Sequence, residues 1–295
     1  KEKYNMTTYN NTTSSASALL TNVLQEAIFT ASERSIAGDL FQVFDMTGTA
    51  GLTAQIPVYP EITADDLTEG TALTASESIT PATVTITAAE IGARADLTDL
   101  LREASNRDVA ADIGQMLGAA IGEKIDSNAF SKFDSLTNVI GTGGAEVTPS
   151  KLLQAVYTLR NNNAPTDADG DYYAVINPSV AYHIANTLQG AGVGTSANAM
   201  STVGNDILSK SAFMGRLYNV KVFMSTAVAN DSADDSVGAV FLPQCFGHIV
   251  KRPIVVKSQE QVSARAVEFV GATARGNAIL KNTYGVKLKG ESTIN

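Results

Sequence analysis

One cysteine, Cys245, excludes an internal disulfide framework, since a bridge needs two. Imidazole is almost as scarce: His183 and His248 are the only histidines, and Cys245 with His248 supplies two ligands where structural zinc takes four. No apolar run approaches the roughly 18 residues that span a bilayer, and the N-terminus lacks the charged and apolar regions of a secretory signal, so cytosolic folding is the default expectation. Basic residues are outnumbered, with 21 Lys and Arg against 30 Asp and Glu, a net charge of −9 and a pI near 4.8. That balance excludes a protein that coats nucleic acid through counterion release, which needs clustered cations. There is no Walker sequence, and GAGVG at 190–194 lacks the G-x-G-x-x-G spacing of a dinucleotide loop. No Ser or Cys sits in a nucleophile motif, and the pairs Asp65-Asp66 and Asp234-Asp235 fall in polar turns where solvation accounts for them. The expectation is a protein without catalysis, cofactor or metal.

What is present is a folded chain of 295 residues, 44% hydrophobic, with mean hydropathy +0.03, long enough for one large domain or two ordinary ones. It begins at Lys1 without methionine, as a processed product does or a chain lacking its start; Met6 is an alternative start. Residues 1–15 are rich in Asn, Thr and Ser and read as a mobile or partner-ordered arm. Leu19, Leu20, Val23, Leu24, Ala27, Ile28 and Ala31 then recur at helical spacing. From Asp45 to Glu90 there is no Lys or Arg, while Asp45, Glu61, Asp65, Asp66, Glu69, Glu77 and Glu90 all fall in that stretch. Its two strand-like pieces, AQIPVYPEI and SITPATVTITAAEI, predict a long hairpin; in the second, Val84, Ile86 and Ala88 alternate with Thr83, Thr85 and Thr87. A hairpin that cannot bury its own faces is marginal in water, so it is expected to lie on something else.

Residues 99–133 predict a long helix that Asp99 can cap. Gly114, Gly118 and Gly122 form a stripe for close approach, expected to be that of a sheet. Thr148-Pro149 predicts the start of a helix through 162. TDADGDYYAVINP at 166–178 carries Asp167, Asp169 and Asp171 at calcium-loop spacing, but Gly170 comes two places too early and Pro178 stands where the bidentate glutamate belongs. The better reading is an Asx/Gly turn into a strand. Helices then alternate with the strands YYAVIN, NVKVFMS and GAVFLP as an α/β subdomain. The nearly all-strand tail from Gly247 to Lys289 is basic, and is expected to pair with itself and with the strands flanking the long helix.

In this order the segments resemble the major capsid proteins of tailed phages with the Hong Kong 97-type fold. The resemblance rests on organisation along most of the chain, and locally on YYAVINPSVAYHI, TPSKLLQAVYTLR and MGRLYNVKVFMSTAV, where Gly215, Leu217 and Val220 or Val222 match a Gly-x-Leu-x-x-x-x-Val segment. It implies an α+β fold divided into an N-terminal arm and helix (1–44), an extended β-hairpin loop (45–92), a peripheral domain with a spine helix (93–148), an axial α/β domain (149–245) and returning peripheral strands (246–295). It further implies self-assembly into hexamers and pentamers of an icosahedral shell around double-stranded DNA, without sequence-specific binding. The shell would be part of a virion, assembled in the cytoplasm of a host bacterium, with scaffold, portal and decoration proteins as further partners. The acidic loop, with Asp65, Asp66 and Glu69, would meet Arg252, Lys257, Arg275 or Lys281 of a neighbouring copy. The loop departs from cross-linking members of the family in having no Lys, which points to noncovalent contacts. An encapsulin-type compartment has the same fold, and a secreted acidic adhesin is a reading from another class.

Overall fold

The computed structural model describes residues 20, 23–31, 34–60, 62, 64, 66, 69–70, 79–104, 109–192, 213–231 and 235–293. The expected arm, Asp65 and most of the glycine-rich loop ending at Asn205 lie outside them. In chain order the helices are α1 (residues 23–31), α2 (Ala37–Leu40), α3 (Asp99–Ala104), α4 (Val109–Phe130), α5 (Pro149–Asn161) and α6 (Pro178–Gly192). The strands are β1 (Gln42–Asp45), β2 (Thr53–Val58), β3 (Ala82–Thr87), β4 (Ala89–Thr98), β5 (Val139–Ile140), β6 (Tyr172–Ile176), β7 (Phe213–Leu217), β8 (Val220–Met224), β9 (Asp235–Phe241), β10 (Phe246–Gln261), β11 (Ala266–Ile279) and β12 (Gly285–Glu291). The chain forms two compact units: unit 1 is Lys1–Ile36, Ala89–Asp126 and Lys251–Arg275, and unit 2 is Ala37–Ala88, Ser127–Val250 and Gly276–Asn295.

In unit 1, β11 pairs antiparallel with β4 without a slip, from Ala266 opposite Thr98 to Arg275 opposite Ala89. Ile113, Leu117, Ile121 and Ile125, four apart along α4, are buried with Leu97, Phe269 and Val256 at one end and Ile91 and Ile254 at the other. Each glycine of the stripe follows one of these residues and is turned about 100° from it. The partner there is α1, not the sheet the sequence leads one to expect. A Cβ on Gly118 would come within 2.4 Å of the Ala27 carbonyl oxygen, and one on Gly114 within 2.8 Å of that of Val23. The isoleucine and leucine rows take the sheet, so the glycines are left to admit a helix backbone. Asp126 on α4 is 2% exposed and accepts bonds from the Ser35 hydroxyl (2.8 Å) and the Ile36 N–H (3.1 Å), which offsets the cost of burying its charge. At the start of α3 the capping oxygen belongs to Thr98, whose Oγ1 accepts from the Leu101 N–H at 3.3 Å; Asp99 is already inside the helix.

Unit 2 holds a six-stranded sheet in the order β5-β12-β9-β6-β8-β7. Every residue of its central strand β9 is buried. Pro149 starts α5 as expected, but the Thr148 hydroxyl bonds to the Ser150 hydroxyl rather than to the backbone. Phe41, Phe130, Phe133, Phe241 and Phe246 stack and tilt against one another with ring centroids 4.7 to 6.3 Å apart, forming an aromatic core. The expectation for the tail needs correcting at its end. β11 does pair with β4, but β12 pairs antiparallel with β9, Gly285 opposite Phe241 through Glu291 opposite Asp235, and so joins the α/β sheet. A fully buried central strand needs a partner on each side, and β12 supplies the second. The hairpin forms as expected, with β2 and β3 in register from Thr53–Thr87 to Val58–Ala82. Ile86 and Ala88 are buried against Ile249, while Thr83, Thr85 and Thr87 are exposed.

Candidate functional site: the acidic hairpin and the basic tail

Beyond its two strands the hairpin has two described acidic residues. Asp66 and Glu69 are exposed, as are Ile62 (63%) and Ile79 (56%). Asp65 lies outside the described residues. Among the described residues, no ion pair joins Asp66 or Glu69 to Lys281, the one candidate cation in the same unit.

The four basic residues singled out by sequence differ in how they are held. Lys257 is exposed on β10. Arg252, half exposed, is already ion-paired with Glu90. Arg275 is partly buried and its Nε donates to the Thr273 hydroxyl at 3.4 Å; burial lowers its pKa, while Asp126 pulls the other way. Lys281 donates to the Tyr284 hydroxyl at 3.3 Å and lies 4.7 Å from that ring's centroid. Lys257 and Arg252 are thus exposed while Arg275 and Lys281 are partly buried, a distinction that depends on the fold and could not be read from spacing.

The aspartate turn is an ionic clasp. Gly170 takes φ +79° and its N–H donates to the Asp167 carbonyl at 2.8 Å, while the Asp167 N–H donates to the Asp171 carbonyl at 3.0 Å. Lys221 Nζ, from β8, stands 2.8 Å from Asp169 and 3.8 Å from both Asp167 and Asp171. Arg216, from β7, pairs with Asp171, which is 1% exposed. The Tyr173 hydroxyl donates to Asp167 at 2.6 Å and is the main cause of that carboxyl's lowered pKa. Protein cations thus fill the centre a metal would need, and among the described residues no three His, Cys, Asp or Glu side chains converge as a metal site. Lys221 and Arg216 lie some fifty residues away in sequence, so nothing local signalled them. They sit on a hairpin whose two-residue turn, Tyr218-Asn219, has positive φ at both positions, with Gly215 at a bulge.

The remaining reactive groups are enclosed. His183 is 3% exposed, with Nε2 at 2.9 Å from the Thr293 carbonyl and Nδ1 at 3.5 Å from Glu146. His248 Nδ1 lies 2.6 Å from Asn277 Oδ1. Burial raises the pKa of the Cys245 thiol, so it is held as an unreactive thiol. No helix among the described residues is long and apolar enough to cross a membrane.

The architecture is the α+β Hong Kong 97-type fold of tailed-phage capsid proteins. The chain is similar to the capsid structure of cyanophage P-SCSP1u (18% identity, TM-score 0.63, 88% of this chain and 89% of that one). It is also similar to the capsid of Ralstonia phage GP4 (8%, 0.65, 85% and 87%) and to a virus-like particle from Pyrococcus furiosus (11%, 0.59, 90% and 98%). No protein-family profile matches the chain, and no curated protein does.

Proposed function

We propose that this chain is a phage major capsid protein, a structural subunit without catalytic activity that assembles into hexamers and pentamers of an icosahedral shell enclosing double-stranded DNA. The observation that carries the proposal is the likeness of nearly nine tenths of the chain to phage capsid structures. In this reading 45–92 is the extended loop, 149–245 the axial domain, and 93–148 with the returning strands the peripheral domain. The acidic loop, through Asp65, Asp66 and Glu69, meets Lys257 of a neighbouring copy first, with Arg252, Arg275 and Lys281 contributing after they exchange internal partners. The subunit works in the virion and assembles in the cytoplasm of a host bacterium, where scaffold, portal and decoration proteins are its further partners.

The test is light scattering on the purified chain, with imaging of the large fraction and nuclease treatment of its contents. Hollow or DNA-filled shells, or rings of five or six copies, are expected. A chain that stays monomeric across salt and concentration overturns self-assembly from the subunit alone. The likeness to the Pyrococcus furiosus particle favours a second reading, an encapsulin-type compartment. Particles holding a cargo protein instead of nuclease-resistant DNA decide for it.

A further inference from the structure

We propose that the bond between Asp169 and Gly170 is a site of spontaneous aspartate isomerisation, and that Lys221 and Arg216 hold it closed in the folded subunit. The inference concerns a covalent modification and does not depend on the shell reading. Asp-Gly occurs once in the chain and Asn-Gly not at all. In the reaction the backbone nitrogen of the following residue attacks the aspartate Cγ; a C–N bond forms, the nitrogen gives up its proton, the carboxyl gives up its hydroxyl as water, and a succinimide ring results. Water then opens either carbonyl of the ring. One opening returns aspartate, and the other leaves isoaspartate, in which the main chain runs through Cβ and Cγ.

Glycine matters because it has no Cβ to shield the attacking nitrogen. Asp167 and Asp171 are followed by Ala168 and Tyr172, whose side chains stand beside that nitrogen. The Asp169 side chain is 68% exposed, so water reaches the ring; that of Asp171 is 1% exposed and closed to it.

Three contacts oppose the attack in the folded chain. The Asp169 carboxylate, which has to swing onto the nitrogen, is tethered to Lys221 Nζ at 2.8 Å. The Gly170 N–H, whose nitrogen is the nucleophile, donates to the Asp167 carbonyl at 2.8 Å. Arg216 donates to the Asp169 carbonyl at 3.4 Å and so fixes the peptide plane between the two residues. Lys221 is itself placed, with Nζ 5.3 Å from the centroid of the Tyr173 ring, and its bond to Asp169 raises its pKa, which keeps it charged. β7 and β8 thus govern the chemistry of a turn that lies about fifty residues earlier. Isoaspartate at 169 would lengthen the main chain there and carry the carboxylate away from Lys221, so the modification undoes the clasp that restrains it.

The test follows isoaspartate in the full chain, folded and unfolded in urea, during incubation at neutral pH. Protein isoaspartate methyltransferase labels the product and peptide mapping locates it. The unfolded chain is expected to accumulate isoaspartate at 169 ahead of its other aspartates, and the folded chain several-fold more slowly. Lys221→Met keeps the stem and removes the charge; it is expected to raise the rate in the folded chain several-fold, while Lys221→Arg keeps it low. Circular dichroism confirms that each variant is folded, and if Lys221→Met is not, the folded and unfolded parent decide the matter. Isoaspartate forming elsewhere and not at 169 in the unfolded chain overturns the site. Equal rates in folded and unfolded parent, or in folded parent and folded Lys221→Met, overturn the protection.

Discussion

Strands β9 and β2 belong to the same unit and differ in nearly everything that covers them. All seven residues of β9 are buried, flanked by β12 and β6. β2 alternates exposed and half-buried positions, and among the described residues its only strand partner is β3, in which Ile86 alone is buried. Burial at β9 stabilises the subunit directly, at roughly 25 cal/mol for each Å² of apolar surface removed from water. A two-stranded ribbon with open faces is marginal by itself. The contrast separates strands that the subunit covers by its own fold from strands whose faces it leaves open. In the hairpin, Asp66, Glu69, Ile62 and Ile79 are likewise exposed in the subunit.

The largest effect that would test this contrast lies in the core. Phe241 is fully buried, with the rings of Phe41, Phe133 and Phe246 at 5.0 to 5.6 Å. Phe241→Ala is expected to cost about 3–5 kcal/mol in denaturant unfolding, from lost transfer energy plus the cavity left behind. Ile62→Ala, at a 63% exposed position, is expected to change stability by no more than about 0.5 kcal/mol. Equal costs at the two sites would erase the distinction.

What could be read from sequence follows the same division. The alternation of Val84, Ile86 and Ala88 with threonines, and the proline start of α5, depend on local rules and match the structure. The glycine stripe told that a backbone comes close at Gly118, but not whose; the row of Ile and Leu one residue earlier had already taken the sheet. The pairing of β12 with β9 joins segments about fifty residues apart, and nothing in YGVKLKG distinguishes one buried neighbour from another. Thr98 capping α3 in place of Asp99 is a shift of a single residue, finer than periodicity resolves. At the candidate site, the sign of the charge was legible for all seven residues named. Which cations are already satisfied within the subunit depends on Glu90, Thr273 and Tyr284, and so on the fold.

A middle-sized effect belongs to the aspartate clasp at the edge of the six-stranded sheet. Tyr173→Phe removes the hydroxyl that donates to Asp167 and is expected to cost about 0.5–1.5 kcal/mol at neutral pH. The folded Asp167 carboxyl lies below its ordinary value, so its contribution is present above the unfolded pKa of about 4 and is lost as pH falls through the lower folded value. The gap between parent and variant should therefore narrow below about pH 4 and close under stronger acid. Urea unfolding at several pH values checks this. A gap that is constant with pH would mean that Tyr173 acts through packing alone, for instance through its ring against Phe223, 6.4 Å away.

The smallest expected effect on the subunit is the largest on assembly. Reversing Asp65, Asp66 and Glu69 to Lys together changes residues of which Asp66 and Glu69 are exposed, so the unfolding free energy should move by no more than about 0.5 kcal/mol per site. If the acidic hairpin finds its stability on a basic surface of the next copy, the same change places like charges opposite Lys257 and removes shells and rings from the light-scattering profile. Adding Lys257→Glu to the reversed chain should then restore part of the assembly, because the pair is again of opposite sign. Normal shells from the triple variant would show that the charge of the hairpin is solvated surface. Its position over a neighbour would then have to come from the apolar residues Ile62 and Ile79. Failure to assemble with a lowered unfolding free energy would instead place the acidic residues among the groups that fold the subunit, and the contrast between β9 and the hairpin would have to be given up.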